Sequence, residues 1–229
     1  MAHPRFGDIS VCVFDAYGTL FDYNTAASRH SAVLGEKAAP LANLWRLKQL
    51  QYTWLRSLMG RYTGFWQVTG EALDFAMGEL GIEDEALRAN LMEAYLTLDA
   101  YPEVTETLAT LRAHGLRTAI LSNGEPGMLD AAVEAAGLAG SLDAVLSVED
   151  VGIYKPHPSV YQLVVDRLGV AAEGVSFQSS NAWDANGAAA FGFRVVWCNR
   201  FGQGQERVPE APDAEIATLA ELPALLGIG

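Results

Sequence analysis

The stretch Val11-Cys12-Val13-Phe14-Asp15-Ala16-Tyr17-Gly18-Thr19-Leu20 constrains this chain more than any other. A run of apolar residues ends in a carboxylate, and Gly18 follows three positions later. Continuous apolar runs of this kind read as strands buried on both faces, as in parallel sheets. Open α/β sheets bind ligands beyond the carboxyl ends of their strands. Asp15 is thereby placed at the mouth of a site, with Gly18 letting the chain turn sharply. A strand-end Asp also serves as a turn residue or as the N-cap of the next helix. Taken alone, the stretch leaves both readings open.

The 229 residues suffice for one large domain or two modest ones. A formal charge of -13 argues against nucleic-acid or anionic-membrane partners, which demand clustered Lys and Arg. It leaves an anionic substrate open, because a few cations in a cleft outweigh a distant field. Cys12 and Cys198 sit inside apolar, strand-like runs without metal-type spacing, which fits a reducing, cytoplasmic setting. His3, His30, His114 and His157 match no metal spacing either. Met1-Ala2-His3-Pro4-Arg5 leads into the first strand with no signal-peptide core, and no apolar run is long enough to span a bilayer.

The first strand is expected over 9–16, and helical pattern dominates from Thr25 to Leu98. The helix expected from Leu41 to Gly60 carries Leu44, Leu47, Leu50, Trp54, Leu55 and Leu58 as one stripe and Trp45, Tyr52 and Met59 as a second. A helix apolar around so much of its girth must touch more than one partner. Two further helices are expected over 65–80 and 83–98. Beyond Tyr101-Pro102, strands at 117–123, 143–147, 175–180 and 194–199 alternate with helices. A polar loop over 202–213 then leads to a last helix ending near Leu226. Such alternation implies an α/β fold, a Rossmann-like parallel sheet flanked by helices. The expected organisation is a core of 1–20 and 99–229, with a helical cap of 21–98 inserted after the first strand.

Polar residues stand where apolar strands finish: Asp15, Ser122-Asn123, and Ser179-Ser180-Asn181 followed by Asp184. Lys155 lies in the loop after the 143–147 strand. Capping and turn chemistry account for any one of these. They do not account for four converging on one sheet edge.

Phe14-Asp15-Ala16-Tyr17-Gly18-Thr19-Leu20, Leu121-Ser122-Asn123-Gly124, Tyr154-Lys155-Pro156 and Ser179-Ser180-Asn181-Ala182-Trp183-Asp184 resemble the four motifs of the haloacid dehalogenase superfamily. The segment from Leu44 to Arg56 is similar to the cap signature of its L-2-haloacid dehalogenase branch. The resemblance runs from Val13 to the last helix. Magnesium-dependent phosphatases of the superfamily carry a second Asp two residues after the nucleophile and another acid in the fourth motif. Here Tyr17 and Ser180 stand at those positions. Mg²⁺ favours carboxylate oxygens, and a leaving alkoxide needs an acid, whereas halide leaves without a proton.

The resemblance implies hydrolytic dehalogenation of L-2-haloacids with no cofactor and no metal. Asp15 would be the nucleophile and Lys155 its counter-ion; Asp184, with Asn181, would activate water. Thr19, Ser179 and Tyr161 would be positioning hydroxyls. Ser122 and backbone N–H groups would hold the substrate carboxylate, while Arg46, Asn123 and Trp183 would take the halide. Tyr17, Leu50, Phe65 and Trp183 would line the alkyl pocket, with core packing as the alternative for each and as an equal one for Leu50. Leu47 departs from the family, whose members often have Gln there. The resemblance and the doubly apolar helix together imply a homodimer. The rivals are a phosphatase-like hydrolase of the same superfamily and a non-catalytic, anion-binding scaffold.

Overall fold

The computed structural model describes residues 4–228, so Met1–His3, including His3 of the histidine reading, and Gly229 lie outside the described residues. A 6-stranded sheet has the order β3-β2-β1-β4-β5-β6, and every pairing is parallel. The strands are β1 (Val11–Phe14), β2 (Arg117–Ser122), β3 (Ala144–Ser147), β4 (Val175–Ser179), β5 (Arg194–Cys198) and β6 (Ala214–Ile216). β1 is shorter than the expected 9–16 because the chain turns at Asp15, and all four of its residues are buried. Burying each of its larger apolar side chains contributes about 1.5–3 kcal/mol. Cys12 and Cys198 are free and buried within this sheet.

Between β1 and β2 the chain forms α1 (Thr25–Ser28), α2 (Ser31–Leu34), α3 (Ala38–Met59), α4 (Phe65–Glu79) and α5 (Glu85–Ala94). The rest of the chain supplies α6 (Val104–Ala113), α7 (Pro126–Ala135), α8 (Pro158–Leu168), α9 (Ala182–Phe191) and α10 (Leu222–Leu225). β6 falls where sequence reasoning placed only the approach to the last helix. It is a three-residue edge strand with an exposed Glu215 at its centre, too short to show a pattern.

The buried face of α3 also differs from the expected leucine stripe. Leu41, Trp45, Gln49 and Thr53 point inward at four-residue spacing. Leu47, Leu55, Leu58 and Met59 are 58%, 43%, 85% and 62% exposed. Two polar side chains take the inner face because hydrogen bonds satisfy them there. The Gln49 amide donates to the Thr69 hydroxyl at 2.7 Å and to Tyr95 Oη at 3.1 Å, and Thr53 donates to its own helix at Leu50 O. The Trp45 indole N–H donates to Thr69 O at 2.8 Å.

Candidate active site

β1 lies at the centre of the sheet, between β2 and β4, where the strand order changes direction. Open parallel sheets form their binding crevice at that point. Asp15 immediately follows β1, Ser122 ends β2, Ser179 ends β4, and Lys155 stands between β3 and α8. Asn181 is the N-cap of α9 and Asp184 lies in its first turn. Gly18 has φ +92 and allows the turn that brings Thr19 back beneath Asp15.

These ends meet in one hydrogen-bonded cluster. Lys155 Nζ donates to Asp15 Oδ1 at 3.1 Å and to Asp184 Oδ2 at 2.8 Å. Asn181 Nδ2 donates to Asp15 Oδ2 at 2.7 Å, and the Thr19 and Ser179 hydroxyls lie 3.4 Å from the same oxygen. Tyr161 Oη donates to Asp184 Oδ1 at 2.8 Å. Ser180, absent from the expected site, donates its N–H to Thr19 Oγ1 at 2.8 Å and so orients that hydroxyl. Arg200 was not expected either. Its guanidinium holds Thr19 O at 2.9 Å, pairs with Glu103 at 2.5 Å and lies over the Tyr101 ring.

One ammonium serves two carboxylates, and all three groups are removed from water: Lys155 is 1% exposed, Asp15 6% and Asp184 0%. Burial alone would lower the Lys155 pKa, but attraction to Asp15 and Asp184 more than reverses that and holds it above the ordinary lysine value. Burial pushes Asp184 up to about 6, against the pull of Lys155 and with added repulsion from Asp15. The site therefore pairs a carboxylate held by a full set of donors with a second one poised to accept a proton.

Arg46 reaches this cluster from α3. Its guanidinium donates to Gln49 Oε1 at 2.8 Å and to Asn181 Oδ1 at 3.2 Å, and it lies 4.9 Å from the Tyr23 ring centre. Gln49 was missed as a site residue; its one sequence signal is a polar side chain three positions from Arg46. The Tyr17 ring stacks on Phe65 at 5.8 Å and tilts against Tyr95 at 5.4 Å. Burial raises the Tyr17 phenol well above its usual pKa, so it is neutral. Trp183 meets Trp54 edge-on at 5.4 Å. The Tyr17 hydroxyl and both indole N–H groups are buried without a hydrogen-bond partner.

Hydrogen bonds thus bring together Asp15, Lys155, Asp184, Asn181, Thr19, Ser179, Tyr161 and Arg46, and ring stacking joins Tyr17 to Phe65. Asn123 touches the group through its side-chain oxygen, which accepts the Lys155 N–H at 3.1 Å. Ser122 is buried and accepts the Gly124 N–H at 3.1 Å. Leu50 is half-buried on α3. Among the described residues, no hydrogen bond links Ser122 or Leu50 to the carboxylates. A groove of about 300 Å³, lined by Trp54, Ser57 and Leu58 of α3 and by 153–157, includes Lys155 in its wall.

Fold and site together define a doubly wound α/β protein built around a buried Asp–Lys–Asp cluster at the switch point of its sheet. The family model for haloacid dehalogenase-like hydrolases matches residues 9–192. The chain is 50% identical over 219 residues to (S)-2-haloacid dehalogenase 1 of Pseudomonas sp. (strain CBS-3), covering 95% of this chain and 96% of that one. It is 47% identical to (S)-2-haloacid dehalogenase 4A of Burkholderia cepacia over 95% of each chain. It also superposes, with TM-score 0.90 and 42% identity over 96% of this chain and 98% of the other, on the L-2-haloacid dehalogenase of Xanthobacter autotrophicus solved with chloropropionic acid covalently bound. The chain belongs to the haloacid dehalogenase-like hydrolases, in their L-2-haloacid dehalogenase branch.

Proposed function

We propose that the chain hydrolyses short L-2-haloalkanoic acids to D-2-hydroxy acids and halide, through an ester formed on Asp15. The carrying observation is the shared ammonium: Lys155 places a nucleophilic carboxylate beside a second carboxylate poised to accept a proton. Residues 21–98 act as a cap over a core of 1–20 and 99–229.

In the first step an Asp15 oxygen attacks C2 opposite the halogen. The C–halogen bond breaks, the halide leaves with the bonding pair, and configuration inverts. Arg46, Asn123 and the Trp183 indole N–H receive the halide; preorganised donors of this kind stabilise developing negative charge. Ser122 already accepts the Gly124 N–H, which leaves its own proton for the substrate carboxylate. Tyr17, Leu50, Phe65 and Trp183 wall the alkyl side. In the second step Asp184 takes a proton from water, and the oxygen attacks the Asp15 ester carbonyl. The bond from that carbonyl carbon to the substrate oxygen breaks, and the departing oxygen takes up the proton to leave as the hydroxy acid and restore Asp15. Tyr161 and Lys155 hold Asp184 in place for this transfer. Thr19, Ser179 and Asn181 hold Asp15.

Tyr17 and Ser180 stand where a phosphoester hydrolase of the superfamily keeps its acids, so the acid two residues after the nucleophile is missing. The test is halide release from L-2-chloropropionate with EDTA present, chiral analysis of the product, and the Asp15→Asn variant. D-lactate from the wild type and no halide from the variant are expected. Retained configuration, or magnesium-dependent phosphate release in place of halide release, would refute the reading.

The exposed Leu47, Leu55, Leu58 and Met59 face of α3 supports a homodimer formed through the cap. Sedimentation of the wild type and of Leu58→Glu tests it, with a monomeric wild type the contrary result. The free, buried cysteines support a reducing, cytoplasmic setting.

A further inference from the structure

Helix α4 carries Phe65 as its first residue, yet it lacks an N-cap of its own. The N-cap position is Gly64, which has no side chain to accept a first-turn N–H. The missing acceptor comes from another part of the chain. Glu125, in the loop after β2 and two residues beyond Asn123, accepts the Trp66 N–H through Oε1 at 3.0 Å. Glu125 is itself the N-cap residue of α7, but its side chain makes no cap bond there. The carboxylate has been given to α4 instead, at the positive end of that helix's dipole.

Gly64 fits this arrangement sterically. A Cβ at that position would lie 1.8 Å from Glu125 Oε1, so any side chain there would evict the carboxylate. The backbone of Gly64 is extended, with φ -63 and ψ 153, so the close approach rather than the backbone conformation calls for glycine. A second core residue grips the same segment: Tyr154 Oη donates to Thr63 O at 2.5 Å, and Tyr154 immediately precedes Lys155. The Tyr154 ring also lies 6.2 Å from that of Phe65.

We infer that Glu125 is a positioning residue: its carboxylate, projecting from the core loop after β2, caps α4 in trans and fixes the Phe65 wall against the nucleophile loop. Phe65 stacks on Tyr17, two residues from Asp15, so any slack at the start of α4 widens the pocket at the reacting carbon. The kinetic part of this inference rests on the dehalogenase reading; the structural part does not.

The test compares wild type with Glu125→Ala, Glu125→Gln and the double variant Gly64→Asp/Glu125→Ala. Hydrogen exchange of the first turn of α4 is read alongside KM and kcat for L-2-chloropropionate. In Glu125→Ala the first-turn amides exchange about fivefold faster, the loss expected for an N-cap, and KM rises more than kcat falls. Glu125→Gln keeps an acceptor oxygen and stays near wild type in both. The double variant gives α4 a cap within its own chain segment, restoring amide protection while KM stays raised, because the Glu125 tie to the loop after β2 is gone and Tyr154 alone holds the segment. Unchanged exchange in Glu125→Ala overturns the inference, as does a double variant whose KM returns to wild type. Should the wild type release no halide, the dehalogenase reading fails, and the exchange result alone decides whether Glu125 caps α4.

Discussion

Replacing Lys155 by Met tests the logic of one cation shared by two buried carboxylates. Methionine matches the length of the lysine stem and removes only the charge and its donors. Asp15 and Asp184 then lose partners at 3.1 and 2.8 Å, in a site where Asp184 is fully buried. Removing one member of a buried ionic group costs about 3–5 kcal/mol, a large share of a total folding stability of about 5–15 kcal/mol. The loss has a signature in pH. In the wild type Asp184 is raised to about 6, so the stability supplied by its proton is lost as pH rises from the unfolded carboxylate value towards 6 and then levels off. Without the ammonium, burial and Asp15 hold the proton on Asp184 to higher pH. The native state then binds one more proton than the unfolded chain, and stability continues to fall above pH 6 by about 1.4 kcal/mol per unit. Urea unfolding of wild type and Lys155→Met at pH 5, 6, 7 and 8 reads this directly, with halide release measured in parallel. Adding Asp184→Asn to Lys155→Met removes the repelling charge, recovering stability at pH 8 and flattening the slope. A Lys155→Met protein with the same unfolding midpoint as wild type at every pH would refute the argument.

Halide release should fall as pH drops through about 6, because protonated Asp184 cannot take the proton of water. The Tyr161 hydrogen bond lowers that pKa, so Tyr161→Phe shifts the acid limb to higher pH in a pH–rate profile. On α9, Gly187→Ala would set a Cβ 2.6 Å from both Tyr161 Oη and Pro156 Cβ. Overpacking there costs about 1–3 kcal/mol, read as a lowered urea midpoint. Gln49→Leu strips the partner of Arg46, Thr69 and Tyr95 from among the helices between β1 and β2. It should cost about 1–3 kcal/mol through groups left unpaired, and it should weaken substrate turnover by freeing Arg46.

The parts of the molecule legible in the sequence were those whose cause is local. β1, β2 and β5 announce themselves as apolar runs, with Asp15 and Ser122 where the first two stop, and β4 as an alternation of Val175 and Phe177 with polar residues that ends at Ser179. Helix α3 was legible as a helix but not in its orientation. Counting leucines selects the face with the most apolar surface, whereas Gln49 and Thr53 lie inward because acceptors and donors meet them there. β6 escaped notice because three residues at a sheet edge, with Glu215 between them, carry no period. Glu125 and Arg200 could not be read at all, and Trp54 and Tyr154 were read only as a stripe residue and a motif residue, without their partners. Each acts through a contact with a segment distant in sequence, and a glutamate before a proline looks the same whether it caps α7 or α4.

The register of β1 also has a consequence for how the protein comes to exist. Val11 pairs with Arg117 on one side and with Val175 on the other. During synthesis the strand that ends at the nucleophile therefore emerges first and waits longest for its neighbours. The helices from Thr25 to Ala94 pack largely on one another, and such local contacts form early. Their partnership with the core comes only after β2 and β4 have left the ribosome. A chain arrested before Ser179 would carry Asp15 and Lys155 but no Asn181 or Asp184. Nascent chains stalled on either side of that point should differ in protease resistance, the longer ones alone holding β1 in a closed sheet.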